Sequence, residues 1–205
     1  MKKKPEESWD KTGGESPLAT FVRQVYPVSG EVIRYINQHS YPQRVARGSY
    51  LLKEGETCRH LYLVRKGVIR GYIKDGTKEV TTWMTAENEM VTSIRGLSLQ
   101  EPSLENIQAI EECDLVVGEF ESLQYLYDNF IEMNIVGRKL LEQYYKDAEE
   151  RAFISRIPNA SKRYRYFVET KGALANRIPL KFIASYLGMT IETMSRIRSA
   201  KQKPK

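Results

Sequence analysis

Apolar residues recur along this chain in two rhythms, and the change from one to the other divides it. Over residues 21–39, Val22, Val25, Val32, Ile33 and Ile36 fall at helical spacing, which predicts one or two amphipathic helices broken near Pro27 and Gly30. From residue 41 to 120 the texture becomes short β-branched and aromatic runs separated by glycine, at 49–52, 61–64, 68–73, 80–84, 107–110 and 115–120. Evenly spaced short runs of this kind predict an antiparallel roll or barrel, with turns at Gly55, Gly67 and the hairpin signal Asp75–Gly76. After Phe120 the spacing returns to three and four residues. A short helix is expected over 122–129 and a longer one over 132–157, ended by Pro158. Met133, Val136, Leu140, Tyr144 and Ala148 form an apolar seam along the longer helix, and these five are the expected contact with a twin helix in a homodimer.

The pattern is that of an α+β chain in four parts: a flexible arm over 1–20, a β-roll domain over 21–130, a long helix over 131–157, and a small helical domain over 158–205. Residues 1–17 combine Lys2, Lys3 and Lys4 with early prolines, a glycine pair and few apolar residues besides Trp9, which is arm-like. No run approaches the ~18 apolar residues of a membrane span, and no apolar segment of a secretory signal stands at the N-terminus, so a cytoplasmic protein without membrane contact is expected. Cys58 and Cys113 stand apart, outside any Cys-x-x-Cys or four-cysteine spacing, and read as reduced structural residues.

Charge changes the picture only once it is divided. The chain carries a net +6, but from residue 151 onward thirteen Lys and Arg face only Glu169 and Glu192, a net of +11. The first 150 residues hold 19 Lys and Arg against 24 Asp and Glu, a net of −5. A cationic module on a mildly acidic body suits a polyanion, because cations set against phosphates release condensed counterions. A solvated basic tail is the other meaning of the same charge.

Residues 180–199 give the module its chemistry. Pro179 suits a helix start, Ala184 is small where a second helix must cross closely, Gly188 permits the turn, and Thr190 can cap the helix that follows. On that second helix Ile191, Met194 and Ile197 are expected inside, leaving Glu192, Thr193, Ser195, Arg196 and Ser199 outside. Such a face has the groups that major-groove reading needs. Arg196 can donate a fork to guanine, Glu192 can accept from cytosine, and Thr193 and Ser195 can bond base edges or phosphate. Lys162, Arg163, Arg165, Arg177, Lys181, Arg198, Ser199 and Lys201, with Lys203 and Lys205 in the tail, are expected on the DNA backbone. A plain αα-hairpin in a helical bundle is the competing meaning of the motif.

With Glu192-Thr193-Met194-Ser195-Arg196 in its second helix, the chain resembles the Crp/Fnr family of transcription regulators. The resemblance extends back through Leu51-Leu52-Lys53-Glu54-Gly55 and Leu61-Tyr62-Leu63-Val64-Arg65-Lys66-Gly67, which look like the first turns of that family's cyclic-nucleotide-binding-type jelly roll. It covers about residues 21–199. It implies a sensory roll, a long dimerisation helix and a C-terminal helix-turn-helix, acting as a homodimer on a near-palindromic double-stranded operator with RNA polymerase as a further partner. Where cyclic-nucleotide-binding relatives carry a phosphate-binding Arg, this chain has Leu104, Glu105 and Asn106, and a carboxylate repels phosphate. Arg95 is the nearby cation, with a solvent-facing charge as its plainer role. The expected effector is therefore not cyclic AMP, and an unidentified small molecule stays open. The cysteine cluster of oxygen-sensing relatives is missing, His39 and His60 make no haem pattern, and no cofactor is expected. Ile191 replaces a base-reading Arg of several relatives, so operator preference does not transfer. With the sequence stopping soon after the second helix, a wing is expected earlier or not at all.

Two other function classes compete. A cupin-type metal enzyme needs several histidines converging with a carboxylate, and two histidines, one of them outside the roll, do not supply them. No nucleophile elbow or phosphate-cradling glycine loop is present either, so no enzyme is expected. The remaining alternative is a roll that binds a ligand or protein while the helices only dimerise, without a DNA-binding role.

Overall fold

The computed structural model describes Trp9 and residues 14–201, and of Lys201 only the backbone. Lys203, Lys205 and most of the expected arm lie outside the described residues. The arm does not extend to residue 20, because α1 (Pro17–Val25) starts with a proline in its first turn. Its cap, Ser16, is fully buried, accepts the Leu18 N–H, shares a hydroxyl hydrogen bond of 2.7 Å with Ser40 and donates its backbone N–H to Asn37. The second helix, α2 (Gly30–His39), is capped by Ser29.

Eight strands follow: β1 (Ser40–Val45), β2 (Tyr50–Leu52), β3 (His60–Lys66), β4 (Ile69–Asp75), β5 (Lys78–Thr85), β6 (Met90–Val91), β7 (Asn106–Ala109) and β8 (Cys113–Glu119). A six-residue helix, α3 (Ile94–Leu99), separates β6 from β7. The strands form two antiparallel four-stranded sheets, ordered β1-β8-β3-β6 and β2-β7-β4-β5, with Leu52, Val64, Ile69, Ile107 and Leu115 among the residues that fill the roll. The six expected strands correspond to β2, β3, β4, β5, β7 and β8. In β1, Pro42, Gln43 and Arg44 break the alternation and only the two ends are buried; β6 is two residues long. Neither leaves a period-2 signal.

Helix α4 (Phe120–Asn129) leads into α5 (Ile131–Arg156), whose 26 residues span about 39 Å at 1.5 Å per residue. Here the expected dimer seam is corrected. Met133 and Val136 are buried in a core with Val22, Ile36 and Val116 of the same chain, Leu140 packs on that core, and the Tyr144 hydroxyl accepts the Met90 backbone N–H at 2.8 Å. Four of the five seam residues thus hold α5 on its own roll. Ala148 is exposed and lies instead on a face one step around the helix, with Asn134, Leu141, Tyr145 and Ala152. Leu141 is 57% and Tyr145 74% exposed.

Three further helices make the C-terminal unit: α6 (Ala160–Ala175), bent at Lys171, then α7 (Leu180–Tyr186) and α8 (Ile191–Lys201). The first was not legible as a helix in the sequence. These helices share one core with the roll, in which Val68, Met84 and Ile110 meet Phe167, Ile178, Ile183 and Met194. Phe167 and Met194 are fully buried there.

Candidate nucleic-acid interface

The turn between α7 and α8 is built as its residues predict. Gly188 takes φ +61°, a left-handed conformation that disfavours side chains with a Cβ, and the Met189 N–H closes onto the Ala184 carbonyl at 3.0 Å. Ala184 is buried beneath the crossing. The Thr190 hydroxyl accepts the Thr193 N–H at 3.2 Å and so caps α8.

Helix α8 presents Glu192, Ser195, Arg196 and Ser199 exposed at i, i+3, i+4 and i+7, which sets them in one row. Thr193 is half-buried beside that row, its hydroxyl taking bonds from Thr190 and, at 3.4 Å, from Arg196. A hydrogen bond from its own backbone N–H at the start of the helix is the main cause holding the Glu192 carboxyl below the usual range, so the acceptor is ionised at neutral pH. Met194 is buried and Ile197 half-buried as expected, but Ile191 is 46% exposed at the start of the helix rather than inside. A first-turn side chain has no preceding helical turn to pack under, which is why periodicity misplaces it.

The expected backbone-contacting residues divide in two. Lys162, Lys181 and Ser199 are exposed, with the Lys181 ammonium 4.8 Å from the centre of the Phe182 ring. Arg198 is half-buried and reaches Asn176 at 3.5 Å. Of Lys201 only the backbone is described, within α8. Arg163 and Arg177 are engaged inside the chain. Arg163 donates to the Ile157 carbonyl at 2.6 Å, to the Pro158 carbonyl at 3.3 Å and to the Gly188 carbonyl at 3.3 Å, tying the end of α5 to the turn before α8. Arg177 donates in forks to Glu87, at 2.7 and 2.8 Å, and to Glu111, at 2.6 and 3.2 Å. The Arg177 guanidinium pulls the Glu87 carboxyl down to about 2. Sequence charge marks both arginines as cations but carries nothing about what they face.

Further polar contacts of this unit with the roll fall on β5, an edge strand, and on Arg70 of β4. Ser185 accepts the Thr81 N–H at 2.9 Å and donates to the Glu79 carbonyl at 3.0 Å, satisfying edge groups that would otherwise need water. The buried Arg70 guanidinium lies between the rings of Tyr72 and Phe182, at 4.1 and 3.8 Å, and donates to Glu79 at 2.5 Å and Gln108 at 2.8 Å. None of these polar contacts was legible in advance.

In the roll, the stretch expected to meet an effector phosphate is arranged otherwise. The Trp83 indole packs directly over Gly71, where a Cβ would collide with it, and donates to Glu105 at 2.8 Å. Burial raises the Glu105 carboxyl above the usual range. Leu104 points outward, and Arg95 is exposed and paired with Glu101 at 2.8 Å. A carboxylate bonded to an indole at this position is a poor partner for a cyclic phosphate, and Arg151 is the cation that acts on Glu105. Among the described residues no group of three or more potential ligands is placed to hold a metal, and no helix is long and apolar enough to cross a membrane.

A roll of two four-stranded sheets, a long helix across it and a C-terminal helix-turn-helix make up an architecture of the cyclic-nucleotide-binding-domain class. The cyclic nucleotide-binding domain matches residues 42–130. The chain is 26% identical over 172 residues to the fumarate and nitrate reduction regulatory protein of Vibrio cholerae, covering 78% of this chain and 68% of that protein. Its fold is shared with FixK2 of Bradyrhizobium japonicum, at TM-score 0.70, 17% identity and coverage of 78% and 83%. It is also shared with a Crp/Fnr regulator described as putative from Eubacterium rectale, at TM-score 0.69, 19% identity and coverage of 87% and 88%. The chain thus carries a cyclic nucleotide-binding domain and resembles regulators of the Crp/Fnr family in both sequence and fold.

Proposed function

We propose that this chain is a cytoplasmic, homodimeric transcription regulator that reads a near-palindromic operator through α8, acts without cyclic AMP, and works alongside RNA polymerase rather than as an enzyme. The observation that carries the reading is the exposed row of Glu192, Ser195 and Arg196 on a capped helix in a module of net charge +11. Arg196 serves guanine and Glu192 serves cytosine, while Thr193 and Ser195 serve neighbouring base edges or phosphate. Ile191 adds an apolar contact suited to a thymine methyl. Lys162, Lys181 and Ser199 hold the phosphates.

Dimerisation falls to the outer face of α5. Leu141, Tyr145, Ala148 and Ala152 follow the four-three-four spacing of a coiled-coil seam, beside the Arg138–Glu142 pair at 2.5 Å. A groove lined by Tyr127, Asn134, Gly137, Leu141 and Tyr145 runs along the same face and suits a partner helix. The reading without cyclic AMP is supported by the hydrogen bond between Trp83 and Glu105, in the stretch where cyclic-nucleotide-binding relatives carry a phosphate-binding Arg.

Selection of binding sites from a random duplex pool, with and without cyclic AMP, tests the reading. A two-fold symmetric site recovered without nucleotide is expected. Recovery only with nucleotide overturns the effector part, and no enrichment under either condition overturns DNA reading.

A further inference from the structure

Two turns at one end of the roll meet at a single side chain of the helical unit, and a third turn supports one of them. Arg177 lies between α6 and α7; Glu87 belongs to the β5–β6 connection and Glu111 to the β7–β8 connection. The third turn, between β3 and β4, contributes Gly67, whose N–H donates to Glu87 at 2.9 Å. Glu87 is therefore held by the roll before it meets Arg177. One guanidinium bonded in forks to two such carboxylates is fixed in direction as well as in distance, which a single point charge does not achieve. On the other side of the same unit, Arg163 ties the turn before α8 to the end of α5. The recognition helix is thus referred both to the roll and to the helix that faces a partner.

We propose that Arg177 is a positioning residue: by bridging Glu87 and Glu111 it fixes the angle of the DNA-reading unit on the roll and thereby the separation of operator half-sites that the dimer accepts. This rests on the reading of α8 as a DNA-reading helix and goes beyond it, since Arg177 is given no contact with DNA. Half-site sequence is a property of the α8 side chains, whereas half-site separation is a property of where two rigid units stand. Loosening the bridge changes the second and leaves the first.

The test combines site selection with amide hydrogen exchange on the full-length wild-type protein, Arg177→Ala, and the double variant Glu87→Gln with Glu111→Gln. Wild type should enrich one half-site separation. Both variants should enrich the same half-site sequence at several separations. In both, the amide of Thr81, which is bonded to Ser185 of the reading unit, should exchange roughly threefold to tenfold faster, while amides of β3 and β8 stay protected. A single unchanged separation in Arg177→Ala, or unchanged Thr81 exchange, overturns the proposal and leaves DNA reading standing. A uniform loss on specific and random DNA in Arg177→Ala but not in the double variant also overturns it, by making Arg177 a phosphate contact. Wild type enriching no site, with Thr81 exchange still accelerated in both variants, would instead fault the reading of α8.

Discussion

The helical unit has two opposite faces of similar composition and different circumstances. On the face toward the roll, Arg177, Ser185 and Phe182 are committed to Glu87, Glu111, the edge of β5 and Arg70. On the face away from it, Glu192, Ser195 and Arg196 stand exposed in a row. A cation in this module is therefore not automatically a phosphate contact. Its role is decided by whether an acceptor of its own chain reaches it first.

The comparison breaks most completely if the core beneath both faces is emptied. Met194, fully buried under α8, should cost about 2–5 kcal/mol of stability when replaced by Ala, measured by urea unfolding, and both faces should fail together. Arg196→Ala should cost about 1–3 kcal/mol of operator affinity with little change on random DNA, read by titration of the two duplexes. Equal losses on both would remove its role in base reading. Leu141→Glu, on the exposed face of α5, should shift the protein toward monomer in sedimentation and weaken the palindrome far more than an isolated half-site. Lys162→Ala should weaken all duplexes alike and lower the salt slope by about one.

The smallest effect concerns acid. Glu87 is depressed from an ordinary 4.5 to about 2, so its stabilisation is complete above pH 4.5 and is lost as pH falls toward 2. Unfolding midpoints of Glu87→Gln should therefore approach those of wild type across that window and run parallel to them above it.

Elements with strong periodicity were legible in the sequence: six of the eight strands, α4, α5 and the α7–α8 pair. Of the missed elements, β1 is interrupted by Pro42 and Arg44 and α3 spans only six residues, whereas α6 has Tyr164, Phe167, Val168 and Leu174 at helical spacing inside a stretch marked chiefly by its charge. The helix-turn-helix was legible because Gly188 and Ala184 answer local backbone demands. The face of α5 was misjudged for a different reason. A helix carrying two apolar stripes offers the sequence no means of saying which one meets a partner, and the longer stripe, Met133 to Tyr144, packs on its own roll. Arg177 was misplaced because Glu87 and Glu111 lie 90 and 66 residues from it and only folding brings them together, and Arg163 because its partners are main-chain carbonyls, which side-chain charge does not mark.

Both thiols of the chain are buried, and burial pushes that of Cys113 up to about 11, which leaves very little thiolate at neutral pH. Maleimide chemistry should accordingly pass over the native protein, so that a cysteine introduced on the outer face of α8 or α5 becomes the one reactive handle. Fluorophores placed there would report subunit exchange and operator engagement in the otherwise unaltered sequence.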